Sequence, residues 1–171
     1  MKPNEIVSMQ QNPIKNTYLS IVLVNSAMIA GPTVLAIVFW FIVNNKGEGE
    51  AAAAADMSLI FQIIIVGTLC MAYVVGKLMG AKQMEAAKKA ETLTKKLELY
   101  RGINILKTAM LEGAALAAMV FFFVTHDQSF IYLGLLVIGY MLATFPTQNK
   151  IAKDLELSDS MQRELTKALQ A

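Results

Sequence analysis

The sequence predicts an all-α, polytopic membrane protein. Its four transmembrane helices form two tandem, parallel-repeat helical hairpins with cytoplasmic helical extensions. Three observations predict this. Of the 171 residues, 56% are hydrophobic and only 16% charged, with a mean hydropathy of +0.49. A soluble domain has about 45–50% and about 25%. Four apolar runs approach or exceed the ~20 residues a helix needs to cross a bilayer core. Basic residues gather on alternate connections between those runs, as they do on the cytoplasmic side of a membrane.

Residues 1–17 read as a cytoplasmic N-terminal segment and 18–43 as the first span, interrupted only by Asn25, Ser26, Gly31, Pro32 and Thr33. A signal-peptide core is only about 7–15 residues long, so a retained signal anchor is expected despite the Ala51–Ala55 tract. Pro32 lacks a backbone donor and is expected to kink this helix near Met28. Residues 44–56 form an outer loop, and 57–79 the second span, with Gln62, Thr68 and Lys77 as its polar members.

Residues 80–102 read as a basic cytoplasmic helix. From Lys77 to Lys107 there are eight basic residues, opposed only by Glu85, Glu91 and Glu98. Good helix formers predict that Met79–Leu99 continues the second helix, with Leu93, Leu97 and Tyr100 as an apolar stripe. The third span is 103–125, the outer turn 126–128, and the fourth span 129–145, short but closed by Pro146. Residues 146–171 form an amphipathic cytoplasmic tail, with Met161, Leu165 and Leu169 at i, i+4 and i+8. It is expected either to lie on the membrane or to pack on the other cytoplasmic helix. Both termini are cytoplasmic in an inner-membrane, multi-pass topology. Strands are excluded, because no run alternates and a barrel needs far more of them.

An internal repeat organises the chain. Ser26-Ala27-Met28-Ile29-Ala30-Gly31-Pro32 aligns with Thr108-Ala109-Met110-Leu111-Glu112-Gly113-Ala114, and Val38-Phe39-Trp40-Phe41-Ile42 with Val120-Phe121-Phe122-Phe123-Val124. Ser58, Ile60, Phe61 and Val66 then align with Ser129, Ile131, Tyr132 and Val137. Ala27/Gly31 and Ala109/Gly113 are small-xxx-small pairs of the kind that let helix backbones approach in lipid. The first and third helices are therefore expected to meet on these ridges. Gly76 and Gly80 are expected to serve the second helix similarly.

Glu112 is the residue with chemical interest. It lies five residues beyond Lys107, about 7–8 Å along a helix axis. A charge at that depth costs a few kcal/mol. Thr108, one turn back, and Asn25 and Ser26 on the first helix are its candidate partners. Glu112 reads either as an ion- or proton-binding carboxylate or as a structural carboxyl bonding across helices. His126 adjoins Asp127 in a polar outer turn, and no further histidine exists to make a metal site. Cys70 is the only cysteine, which excludes an intramolecular disulfide, and it reads as a small core residue. No phosphate loop, nucleophile constellation or dinucleotide fingerprint is present. No cofactor is called for. The net charge of +2 gives nucleic acid no footprint. The expected partners are the lipid bilayer, further copies of the chain, or other membrane subunits.

Leu111-Glu112-Gly113-Ala114, Phe121-Phe122-Phe123, Phe145-Pro146-Thr147 and Lys153-Asp154-Leu155-Glu156-Leu157-Ser158 together resemble a set of uncharacterised bacterial four-helix inner-membrane proteins. Those read Leu-Glu-Gly-Pro early in the third helix and Arg-Pro-Thr after the fourth. Ala114 and Phe145 depart from that pattern, and the resemblance brings no activity. The chain also resembles rotary-ATPase proteolipids, tandem hairpins with the carboxylate kept in one half. It departs in placing Glu112 on a hairpin's first helix, without a glycine ridge. The expectation is thus a non-catalytic structural or accessory protein, such as a subunit of a larger membrane complex. The alternative is an ion or proton translocator using Glu112, with a membrane enzyme third.

Overall fold

In the computed structural model, residues 3–45 and 58–170 are described, and all the regular structure among them is α-helix. Six helices follow in order: α1 (Pro3–Asn45), α2 (Ser58–Lys89), α3 (Leu93–Thr125), α4 (Gln128–Ala143), α5 (Gln148–Asp154) and α6 (Asp159–Gln170). The outer loop expected at 44–56 lies, from residue 46 on, outside the described residues, as does the start of the second span at Met57. Two helical stretches, Pro13–Asn45 and Leu93–Thr125, are long and apolar enough to cross a membrane. A third candidate arises if α4 and α5 count together as one broken span. Leu59–Met71 is a shorter apolar stretch.

The chain divides into two compact units. The first comprises Met1–Asn25, Lys77–Leu106 and Pro146–Ala171, the second Ser26–Gly76 and Lys107–Phe145.

In the first unit the expectation of one helix over Met79–Leu99 is corrected. α2 stops at Lys89 and α3 starts at Leu93. The cause is Thr92, whose Oγ1 accepts from Lys95 N at 3.4 Å while its carbonyl accepts from Lys96 N at 3.0 Å. Threonine placed there satisfies amides that the first turn leaves open. On the other side of the break, Lys96 Nζ donates to the Lys88 carbonyl, an orphan acceptor of the last turn of α2. Cations are favoured at helix C-termini, where the macrodipole is negative. The stripe Leu93, Leu97 and Tyr100 belongs to α3 and is buried. It shares a core with Ile14 and Ile21 of α1, Ala87 of α2, Ile151 and Leu155, and Leu165 and Ala168 of α6.

The tail therefore packs its apolar stripe into protein. Leu165 is fully buried, and Met161 and Leu169 pack around the same core. α5 ends in a Schellman arrangement, with Leu157 N bonded to Ala152 O at 3.0 Å and Glu156 N to Lys153 O at 3.2 Å. Its left-handed position, usually glycine, is filled by Glu156 at φ 48°.

In the second unit, α1 through α4 share one apolar core. Ile29 and Ala36 come from α1, Ile65 from α2, Ala115, Ala118, Met119 and Phe122 from α3, and Phe130, Val137, Ile138 and Met141 from α4. Rings stack around it: Phe61 on Phe121 at 4.3 Å, Phe39 on Phe123 at 4.6 Å and Trp40 on Phe122 at 6.4 Å. The α3–α4 connection is two residues. His126 takes φ 57°, the left-handed position that closes a helix, and Asp127 caps α4 by accepting from Ser129 N at 2.9 Å.

Candidate functional site

The small-residue ridges occupy a different face from the one expected. Ala27, Ala109 and Gly113 are exposed in the single chain, and a Cβ on Gly113 would meet nothing within 4 Å among the described residues. Helix phase explains this. Ala27 and Ala109 each lie nine residues before a buried alanine, Ala36 and Ala118. At 3.6 residues per turn, nine residues is two and a half turns, the opposite face. On α1 and α3 the small residues that do pack are Ala36, Ala114, Ala115 and Ala118. Gly80 is buried, and the surroundings of Gly76 lie outside what is described.

Gly31 is the ridge residue with a neighbour that matters. It too is exposed, and a Cβ there would stand 3.6 Å from Oε1 of Glu112. Glu112 is half-buried on α3, and among the described residues its carboxyl accepts no hydrogen bond and makes no ion pair. The expected bond from Thr108 to this carboxyl is not made. Thr108 is buried at 8% exposure, Ser26 is exposed, and Asn25 is buried with Nδ2 donating to the Ile21 carbonyl at 2.7 Å.

A second polar cluster, in the first unit, was not foreseen. Lys88 Nζ pairs with Glu156 Oε1 at 2.5 Å. That hydrogen bond and the lysine charge hold the Glu156 carboxyl below its ordinary value, with Lys96 contributing. Lys96 is itself only 6% exposed. Tyr100 donates to Asp154 Oδ2 at 3.2 Å, joining α3 to α5. Lys89 likewise lowers Glu85, one turn away on α2. Nδ2 of Asn104 is buried with no hydrogen-bond partner.

In the second unit, Gln62 Nε2 donates to Ser129 Oγ at 3.0 Å, linking α2 to α4. Cys70 is exposed rather than a core residue. It stands five residues, or 140° of helix, from the fully buried Ile65. Among the described residues no three His, Cys, Asp or Glu side chains gather as metal ligands would. Chemically, the described residues offer one carboxyl without an ion pair in an apolar helix and one network of lysines tied to carbonyl and carboxylate oxygens. No protein-family model, curated protein or solved structure matches this chain.

Proposed function

We propose that the chain is a four-span inner-membrane protein built of two tandem hairpins, with both termini cytoplasmic. In this reading it acts as a non-catalytic structural or accessory component, suited to being a subunit of a larger membrane complex. The observation that carries this is the division of labour between the two units. The first holds thirteen of the fifteen Lys and Arg residues and eight of the thirteen Asp and Glu. The second leaves large apolar side chains exposed on every helix, among them Ile37 and Phe41, Ile63 and Val66, Val120 and Val124, and Leu136 and Leu142. A water-facing surface of that kind would drive association, whereas lipid accepts it. The basic unit fits the cytoplasmic side.

The duplication draws support from burial. Pro32 and its counterpart Ala114 are buried, as are Ala36 and Ala118, while Ala27/Ala109 and Gly31/Gly113 are exposed. Trp40 stacks on Phe122, its own counterpart in the alignment. Contact between equivalent residues is what a two-fold axis between repeats produces.

Single cysteines test the topology in a Cys70→Ala background. Gly47→Cys and Asp127→Cys should label with an impermeant thiol reagent in intact cells, and Ala90→Cys only after permeabilisation. Labelling of position 90 from outside overturns the orientation. Co-purification from native membranes tests the accessory role, for which stable partner subunits are expected. A second reading, proton or cation translocation by Glu112, draws on that carboxyl being half-buried and without an ion pair among the described residues. It requires conductance in reconstituted vesicles that Glu112→Gln abolishes.

A further inference from the structure

Pro32 lies inside α1, which is helical on both sides of it. Proline has no N–H, so the carbonyl of Met28, four residues back, loses its helical donor. The neighbouring hydroxyl does not repair this, because Thr33 Oγ1 donates to the Ile29 carbonyl at 2.7 Å. In lipid a freed backbone group must be satisfied by a neighbouring helix, a side chain or an ordered water. A helical carbonyl points along the axis toward residue i+4, which places the Met28 oxygen at the level of Gly31 and Pro32. Gly31 has no side chain to cover that stretch. The group standing against it is Glu112, with Oε1 3.6 Å from where a Gly31 Cβ would be.

The two repeats are complementary here. The half with the proline has Ala30 at the carboxyl position, and the half with the carboxyl has Ala114 at the proline position. Ala114 keeps its N–H, so α3 frees no carbonyl and needs no acid opposite it.

We propose that Glu112 is a neutral carboxylic acid whose O–H is donated to the Met28 carbonyl freed by Pro32, forming a proton-binding joint between α1 and α3. The ligand of the site is the proton. Losing it removes the donor and leaves a carboxylate with no cation to meet. From Leu19 to Asn45, α1 has no titratable side chain. Within the second unit α2 offers only Cys70 and Tyr73, and α4 only Tyr132 and Tyr140. On α3 the nearest charge is the exposed Lys107, about 7–8 Å away along the axis.

The test is a double-mutant cycle on the full chain in lipid nanodiscs, with infrared difference spectroscopy as a second readout. Glu112→Leu should lower the thermal midpoint by several degrees, and Glu112→Gln, whose amide can donate, should keep it. Pro32→Ala restores the N–H to the Met28 carbonyl, so adding Glu112→Leu to it should cost little. A protonated-carboxyl stretch at neutral pH should vanish in Glu112→Gln. Additive effects of Pro32→Ala and Glu112→Leu, or absence of that stretch, would overturn the proposal. It rests on the reading of α1 and α3 as spans. Thiol labelling tests that reading separately, so the two can fail independently.

Discussion

A Cβ on Gly134 would stand 2.0 Å from the terminal methyl of Met119 and 3.4 Å from the Cβ of Ala118. α4 therefore meets α3 at a glycine, and the fully buried Met119 side chain fills the space a larger residue would need. The small-residue contact expected between the first and third helices is found here, between the third and fourth.

The two glycines should consequently respond in opposite ways. Gly134→Leu overfills a packed site and should cost about 1–3 kcal/mol. Gly134→Ala should cost less, since a flexible methionine methyl is what must move. A Cβ on Gly113 meets nothing within 4 Å among the described residues, and Gly113→Leu should leave the unfolding midpoint unchanged. Equal losses for Gly113→Leu and Gly134→Leu would contradict the packing described.

Thr92 divides what would otherwise be one long helix. Thr92→Ala should destabilise the first unit by about 1 kcal/mol, the usual loss for a removed N-cap. Hydrogen exchange should report it first at the amides of Lys95 and Lys96. Protection there equal to wild type would mean the cap contributes nothing.

The Glu156–Lys88 pair should give the tail an acid-sensitive step. Glu156 is held below its ordinary value of 4.5 by Lys88. A depressed carboxyl contributes stability in full above 4.5 and loses it as the pH falls through the lower, folded value. Protease cleavage between α5 and α6 should therefore rise on acidification below 4.5. In Lys88→Met the wild-type acid step should be absent. Glu156→Gly also loses the pair but relieves the left-handed backbone at φ 48°, and should hold or raise the thermal midpoint at neutral pH.

The Gln62–Ser129 bond should be modest. Interhelical side-chain bonds in membranes average about 0.6 kcal/mol in double-mutant cycles. A cycle of Gln62→Leu and Ser129→Ala should return a coupling of that order, and zero coupling would show the bond is not formed in lipid.

The helices were legible because apolar length is a coarse property of composition. The third helix ends at Thr125, and His126 lies in the connection that follows it. The stop at Lys89 was not read, because Ala90, Glu91 and Thr92 sit among strong helix formers. The one local signal was a threonine three residues before a lysine amide. The small-residue ridges differ from expectation in helix phase. A small-xxx-small spacing marks a face of a helix but not which neighbour it turns to, and Ala109 and Ala118 lie on opposite sides of the same helix. Gly134 carried no spacing signal, since its contact depends on where Met119 comes to rest. A lone carboxyl within an apolar run marks Glu112 in the sequence, but nothing there marks its position beside Gly31. That juxtaposition needs two helices in register, which no single stretch of sequence encodes.

The two-residue connection between α3 and α4 has a consequence for biosynthesis. Two residues span at most ~7 Å, less than the ~10 Å width of a helix. Once the ribosome has released α4, the helix within its reach is α3. Closing so short a loop carries little entropic penalty compared with bringing distant segments together. Their contacts, Phe121 against Phe130 at 5.8 Å and Met119 against Gly134, are local in sequence, and local contacts form fastest. α3 and α4 are therefore expected to pair as soon as α4 is made, and so to present α1 and α2 with an already formed surface.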